Sequence, residues 1–364
     1  MTVGGTSLQH RVVMAPLTRL RADENHVLQP MAKTYYEQRA CSPGTLIISE
    51  AALISPASGG MSNGPGIFRE EQIAAWKTVT DAVHSKGSFI FCQLVALGRA
   101  ADPDALQREG GYEVLAPSAV PMDENSHTPG VLSEQRILDV IQEFKTAAKN
   151  AMAAGFDGVE IHGANGYLVD QFLHDTTNVR TDRWGGSIRN RARFAVELAK
   201  ALVQTVGADK VGFRISPWND WQGMYMPDPI PQFSHLVSEL GNLDLAYLHI
   251  IESRVSNNVD CEPRGQIMPL LDIWGRNAPV LVAGGFTPQN VAGAIDEDYK
   301  DYNVAVVFGR HFLANPDLPF RLKNGISLQK YDRSTFYTKL IARGYIDYPF
   351  NAKFQAAMSS GGTI

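Results

Sequence analysis

Eight short apolar runs, separated by polar loops and helical stretches, restrict how this chain can fold more than any other feature. Short strands that are apolar throughout are typical of a parallel sheet, because such strands are buried on both faces and are joined by helices. The runs are residues 11–14, 45–49, 88–93, 158–162, 211–216, 245–250, 280–283 and 304–308.

The stretches between these runs carry recognisable helix ends. Residues 70–86 begin with acidic side chains and stop at Gly87, and residues 133–154 begin at Ser133 and stop at Gly155. Ser187 is expected to cap a further helix. Repeated strand–helix units allow either a doubly wound open sheet or a closed barrel. The count of eight, and the lack of GxGxxG after the first strand, favour a single (β/α)8 TIM barrel spanning residues 1–364.

One connection is much longer than the others. Residues 98–122, which follow the third run, are rich in Gly, Pro and Asp and are predicted to form a long loop. A loop of this length usually serves as a lid or a binding loop.

The composition of the chain limits the kinds of partner that it is expected to bind. The net charge of −5 and the pI near 6.0 argue against nucleic acid or a membrane surface, since both attract basic faces. The N-terminus lacks the apolar run of a signal peptide, and no stretch approaches the roughly 20 apolar residues of a membrane helix. The three cysteines form no disulfide framework and no zinc motif, and they suit a reducing compartment such as the cytoplasm.

In a (β/α)8 barrel the active site lies at the carboxyl ends of the strands, and the last two strands often hold a phosphate. Gly284 and Gly285 follow the seventh run, and Gly309 and Arg310 follow the eighth. Glycines let backbone N–H groups approach an anion, and the arginine could pair with it. These residues predict a phosphorylated ligand, although a tight turn and a surface cation are the simpler alternative.

The fourth run ends in a second group of polar side chains. His162 and Asn165 can both donate a hydrogen bond to one ligand oxygen, and Tyr167 offers a phenolic proton. Two donors beside an acid suit addition to a conjugated carbonyl. Core packing would be the better explanation for any one of the three alone, but the group of three favours function.

The remaining candidates are weaker. Glu160 beside His162 has no third ligand at a suitable spacing, so a metal site is not expected. Arg214 and Gln93 lie on apolar strands and need buried partners, which either a ligand or the protein could supply. His249 is more typical of a satisfied core residue, and the cysteines have no evident base.

Longer segments carry a more specific signal. HGANGYL at residues 162–168 is followed by DRWGGS at 182–187, and RVVMAPLTR, RISPW and FGRHFLANPDLP stand at 11–19, 214–218 and 308–319. These segments, which cover nearly the whole chain in order, resemble the Old Yellow Enzyme family of FMN-dependent ene reductases. FCQLVALGRAADPD at 91–104 and YDRSTFY at 331–337 are most similar to fungal members, including those of secondary metabolism.

The resemblance implies a role for each matching residue. His162 and Asn165 would bind the substrate carbonyl, Tyr167 would donate the proton, and Trp221 and Tyr337 would wall the substrate pocket. FMN would be bound without a covalent link. Its ring, pyrimidine edge and phosphate would contact Pro16, Leu17, Thr18, Ala51, Gln93, Arg214, Gly284, Gly285, Gly309 and Arg310.

The implied activity is NAD(P)H-dependent reduction of the C=C bond of an α,β-unsaturated aldehyde or ketone. Hydride would pass from NADPH or NADH to FMN and then to the β-carbon, while Tyr167 protonates the α-carbon. Isomerisation of a conjugated carbonyl without net reduction is the alternative, and a silent flavin-binding protein is a further one. A small-molecule substrate, no metal and a monomer or homodimer are expected.

Two departures from the family pattern bear on the structure. Only about ten residues precede the first run, and this shortened N-terminal segment predicts either an open barrel bottom or a start site that cuts the segment short. Val95 stands where the yeast-type members often have tryptophan, which predicts a wider substrate pocket.

Overall fold

The computed structural model describes residues 1–256, 259–276 and 278–360. Most of its strands are two to seven residues long and are followed by a helix or a short loop. In chain order they are β1 (Thr2–Val3), β2 (Thr6–Ser7), β3 (Val12–Met14), β4 (Leu46–Ile48), β5 (Ala52–Leu53), β6 (Phe89–Val95), β7 (Leu115–Ala116), β8 (Gly130–Val131), β9 (Gly158–Gly163), β10 (Val211–Ile215), β11 (Tyr247–Ile251), β12 (Val255–Ser256), β13 (Val259–Asp260), β14 (Val280–Ala283) and β15 (Val304–Phe308).

Eight parallel strands close into a barrel. The pairing runs β3, β4, β6, β9, β10, β11, β14 and β15, and β15 returns to β3 through Val307 and Val13. Each predicted apolar run holds one of these strands, with ends that differ by at most two residues. The (β/α)8 prediction is therefore confirmed.

Helices surround the barrel and cover the outer face of the sheet. Ser133 and Ser187 cap their helices as predicted, accepting hydrogen bonds from the backbone N–H groups of Arg136 and Asn190. In chain order the helices are α1 (Met31–Arg39), α2 (Glu70–His84), α3 (Pro103–Gly110), α4 (Glu134–Ala153), α5 (Leu168–Leu173), α6 (Ile188–Val206), α7 (Ile230–Gly241), α8 (Met268–Trp274), α9 (Val291–Gly293), α10 (Arg310–Ala314), α11 (Leu318–Lys323) and α12 (Ala352–Ser359).

The long connection predicted at residues 98–122 is present, and it contains ordered secondary structure. It holds α3 and β7, and β7 pairs with β8. Asp102 caps α3 by accepting a hydrogen bond from the N–H of Asp104, Pro103 occupies its first turn, and Gly111 ends it at φ 72°. These helix signals stood in the sequence within a region whose composition suggested a loop.

The N-terminal residues close the bottom of the barrel, so the expectation of an open bottom is wrong. β1 and β2 pair as a hairpin, and Val3 and Leu8 are buried against the inner barrel side chains Phe91, Tyr247 and Leu281. A two-stranded hairpin is marginal alone but is stabilised by packing of this kind.

The C-terminal segment is attached to the loop after β3 by two buried arginines. Arg19 donates to the carbonyl oxygens of Phe336 at 3.1 Å and Gly344 at 2.7 Å, and Arg21 donates to that of Phe336 at 2.9 Å. Both guanidinium groups are fully buried beside Tyr345. Because an unpaired buried charge is very costly, this segment is an integral part of the fold.

None of the helices in the part of the chain that the structure describes is long and apolar enough to cross a membrane.

Candidate active site

Two adjoining cavities, of about 160 and 90 Å³, lie at the carboxyl ends of the barrel strands. Residues from seven of the eight barrel strands, or from the loops that follow them, line these cavities, so the chemistry of the site comes from distant parts of the sequence. The residues shared by both cavities are Pro16, Leu17, Asn165, Arg214, Trp221 and Arg310.

The turn after β9 places the predicted catalytic group. Asn165 adopts φ 58°, and its N–H donates to the Ser216 hydroxyl at 2.8 Å. Gly166 follows at φ 82°, and its N–H donates to the buried Asp170 carboxylate at 2.9 Å. The left-handed conformation suits Asn and Gly, and it reverses the chain so that Tyr167 points back into the second cavity.

His162 lies in the second cavity as an uncharged ring. Burial lowers its pKa well below the usual value, and the positive charge of Arg214 lowers it further. Its buried Nδ1 has no hydrogen-bond partner among the described residues. The ring stands edge-on to Tyr167, with centroids 4.8 Å apart. A neutral imidazole can donate through one ring nitrogen without carrying a charge into the site.

Tyr167 stays protonated over the whole physiological range. Burial raises the pKa of its phenol to about 12, and the neighbouring Tyr337 adds to the rise. A phenol in this state can give up a proton only to a strongly basic centre, such as a carbanion that forms next to it.

The predicted phosphate-binding residues all line the first cavity. Gly284 and Gly285 adopt φ 134° and 63°, and a Cβ on Gly284 would lie only 2.9 Å from the Cβ of Glu252. The Arg310 guanidinium donates to Asp260 at 2.6 Å and to the Tyr331 hydroxyl at 3.3 Å. Asp260 is exposed, so its pairing with Arg310 is weak and an anion in the cavity can replace it.

A buried polar network lies beneath both cavities. Glu160 accepts hydrogen bonds from the Gln93 amide at 2.7 Å and from His249 Nδ1 at 2.8 Å. Arg214, on the next strand, is fully desolvated, and its Nε has no hydrogen-bond partner among the described residues. Glu160 is thus paired within the protein, and the described residues hold no cluster of three or more potential metal ligands.

The remaining predicted flavin contacts lie in the loops after β3 and β4. Pro16 and Leu17 line both cavities, and Thr18 lines the second. Ala51 lies outside both linings and, like Tyr167, packs against a small apolar cluster. Val95 belongs to the same cluster and is buried, so the structure places it behind the cavities instead of on their walls.

The two residues predicted to line the substrate pocket come from separate segments of the chain. Trp221 follows β10 and lines both cavities, while Tyr337, from the C-terminal segment, lines the second and is half exposed. The structure adds cavity-lining residues that the sequence did not suggest, and several of them directly follow a predicted residue or a strand end. They are Trp218, Glu252, Phe286, His311, Leu313 and Phe336.

The residues present fit FMN. Arg214 lines both cavities, and the Nε of its buried guanidinium has no hydrogen-bond partner among the described residues. Three glycines that line the first cavity leave its backbone without side chains, at Gly284, Gly285 and Gly309. A ligand with an anionic ring edge and a phosphate would satisfy both groups. Pro16 and Leu17 supply an apolar wall to both cavities.

A barrel with this site belongs to the class of flavin-dependent oxidoreductases. The chain is a member of the NADH:flavin oxidoreductase / NADH oxidase family, whose sequence model matches residues 1–329. FMN is its cofactor and NADH or NADPH its reductant.

Individual relatives agree with this assignment. The chain is 51% identical to "Chanoclavine-I aldehyde reductase fgaOx3" of Penicillium roqueforti, covering 98% of this chain and 97% of the relative. It is 49% identical to "Probable inactive dehydrogenase easA" of Claviceps purpurea, covering 95% and 93%. The crystal structure of Old Yellow Enzyme from Pichia sp. AKU4542 superposes with a TM-score of 0.89 at 38% identity, covering 97% and 92%. The resemblance to the Old Yellow Enzyme family is confirmed.

Proposed function

We propose that this enzyme reduces the C=C bond of a small α,β-unsaturated aldehyde or ketone, with His162, Asn165 and Tyr167 as its catalytic residues. The observation that carries the proposal is the meeting of these three side chains in one cavity, next to the residues that fit FMN. Two hydrogen-bond donors and one proton donor are what the polarisation and protonation of an enone require.

The side chains of the β9 turn act on opposite ends of the conjugated system. His162 and Asn165 donate to the carbonyl oxygen and draw electron density away from the β-carbon. Negative charge grows on that oxygen as the reaction proceeds, so the two donors bind the transition state more tightly than the substrate. Because His162 is neutral, the carbonyl oxygen is stabilised without being protonated.

FMN, when bound, supplies the hydride that the β-carbon receives. Tyr167 holds the matching proton at its phenolic oxygen and passes it to the α-carbon, so that one hydride and one proton add across the double bond. The phenol regains its proton from solvent. The high pKa of Tyr167 keeps this proton in place until the α-carbon becomes basic.

The substrate class is proposed from the site and from the relatives together. One relative is named for reducing chanoclavine-I aldehyde, and a conjugated aldehyde of fungal secondary metabolism fits a cavity that has a tryptophan and a tyrosine on its walls. We place the enzyme in the cytoplasm, where the NAD(P)H it needs is available and where its cysteines, free in the structure, stay reduced.

The test is the visible spectrum of the purified protein under anaerobic conditions. NADPH is expected to bleach a flavin band, and 2-cyclohexenone is then expected to restore it. A band that bleaches but does not return with any enone or enal tested would contradict the proposed reduction. Product formed without consumption of NADPH would instead establish the isomerase, and a protein with no turnover at all would match the relative named as inactive.

A further inference from the structure

The buried carboxylate of Glu160 has no part in the reaction described above, and it lies under the residues that face the flavin. Its side chain is fully buried at the centre of β9. Removing a carboxylate from water is costly, so a carboxylate in this position needs strong partners or a function.

The barrel register explains how one side chain reaches two other strands. Glu160 stands opposite Gln93 on β6 and opposite Gly212 on β10. Gly212 has no side chain, and a Cβ there would lie 2.2 Å from the ring of Tyr247. The Tyr247 ring occupies the space beside this glycine, and Glu160 extends across β10 to His249 on β11, where Nδ1 and Oε2 are 2.8 Å apart.

The contact with Gln93 fixes which end of that amide faces the cavity. An ionised carboxylate only accepts hydrogen bonds, so the amide nitrogen of Gln93 must point to Glu160, at 2.7 Å. The amide oxygen then points away from Glu160. Gln93 lines the second cavity, so it presents a hydrogen-bond acceptor there.

Glu160 is ionised in this position. Burial alone would raise its pKa, but His249, Arg214 and Gln93 outweigh burial and hold the pKa below its ordinary value. The resulting negative charge in turn offsets the positive charge of Arg214, which is buried on the neighbouring strand, two residues beyond the partner of Glu160, and lines both cavities.

We propose that Glu160 is a positioning residue with two effects on the bound flavin. It holds the Gln93 amide with its oxygen toward the flavin, and its negative charge partly offsets the positive charge of Arg214. This inference rests on the proposed function only in requiring bound FMN. The two effects are separable, because the first depends on hydrogen bonding and the second on charge.

Glu160→Gln keeps the shape of the side chain and removes the charge. A neutral amide can accept or donate, so Gln93 is no longer held in one orientation, and we expect FMN to bind about tenfold more weakly. The unbalanced Arg214 favours reduced FMN, which is the more negative form. We expect the preference for reduced over oxidised FMN to rise about tenfold, a potential shift of about 30 mV for two electrons.

The measurements are FMN affinity, from the quenching of flavin fluorescence, and the potential of the bound flavin, from a dye-coupled titration. Asp317→Asn is the matched control, because Asp317 is equally buried and is paired with Arg321 at 2.7 Å outside the cavities. In a Gln93→Ala background, Glu160→Gln is expected to change the potential but to have little further effect on affinity.

Glu160→Asp keeps the charge and shortens the reach, so it should weaken FMN binding while leaving the potential close to that of wild type. If Glu160→Gln does not fold, Glu160→Asp tests the proposal in its place. An unchanged potential in folded, FMN-loaded Glu160→Gln, an equal shift in Asp317→Asn, or unchanged FMN affinity in Glu160→Asp would overturn the inference. Wild-type protein that binds FMN but reduces no enone would refute the proposed function alone, whereas wild-type protein that binds no FMN would refute both.

Discussion

Replacing Tyr167 with phenylalanine removes the proposed proton donor and leaves the rest of the cavity in place. The phenyl ring can keep the edge-on contact with His162, whose centroid is 4.8 Å away. The backbone turn does not depend on the hydroxyl, because Asn165 and Gly166 are held by Ser216 and Asp170. We therefore expect Tyr167→Phe to fold and to bind FMN as the wild type does.

Tyr167→Phe is expected to slow only the half of the reaction in which the enone is reduced. A positioned general acid contributes about 10²- to 10⁴-fold to the rate, which corresponds to about 3–5 kcal/mol of activation free energy. The oxidation of reduced enzyme by 2-cyclohexenone should slow by that factor, while the reduction of the enzyme by NADPH should change less than about threefold, since no proton from Tyr167 is needed there.

Stopped-flow absorbance at the flavin band measures the two halves separately. The pH profile adds a second readout, because burial raises the pKa of Tyr167 to about 12. Enone reduction by the wild type should therefore show no loss from deprotonation of Tyr167 between pH 7 and 10. An equal slowing of both halves in Tyr167→Phe, or a wild-type loss at pH 8–9 that this variant abolishes, would refute the assigned role.

Three further expectations follow from the same structure. His162→Ala should lower kcat/KM for an enone by about 10²- to 10³-fold, the effect of losing one donor at a developing oxyanion, and an effect confined to NADPH oxidation would contradict this role. Gly284→Ala should weaken FMN binding and destabilise the protein by about 1–3 kcal/mol, measured by urea unfolding, because its φ of 134° and its 2.9 Å approach to Glu252 exclude a Cβ. Burial raises the pKa of Glu50 to about 7, so this group contributes stability below pH 4.5 that is lost as pH rises toward 7 and above. Glu50→Gln should remove this pH-dependent loss of up to about 3 kcal/mol between pH 5 and pH 8, and equal pH dependence in the two proteins would contradict it.

The barrel and most of its site could be predicted because their signals are local. Each apolar run such as 304–308 marks a strand, and in a (β/α)8 fold the residues that follow it, such as Arg310, must face the common site. The order of the strands then brings His162 and Arg214 together without any knowledge of their contacts.

Other features depended on partners that are distant in the sequence. The sequence could not show whether a ligand or the protein satisfies the buried amide of Gln93, because its protein partner, Glu160, is 67 residues away. The hairpin at the barrel bottom is ordered by Phe91 and Tyr247, which its own sequence does not reveal. Val95 was expected to widen the substrate pocket because yeast-type members often have tryptophan there, and its side chain lies in a buried apolar cluster that includes Leu106 of α3.

The attachment of Arg19 and Arg21 to the C-terminal segment has a consequence for how the protein is made. The carbonyl groups that satisfy these two cations belong to Phe336 and Gly344, so the loop after β3 cannot reach its final state until nearly the entire polypeptide has left the ribosome. The seam between β3 and β15 imposes the same delay. At a synthesis rate of about 5–20 residues per second, the edge of β3 that pairs with β15 therefore lacks its partner for many seconds, which is when a chaperone would be of most use.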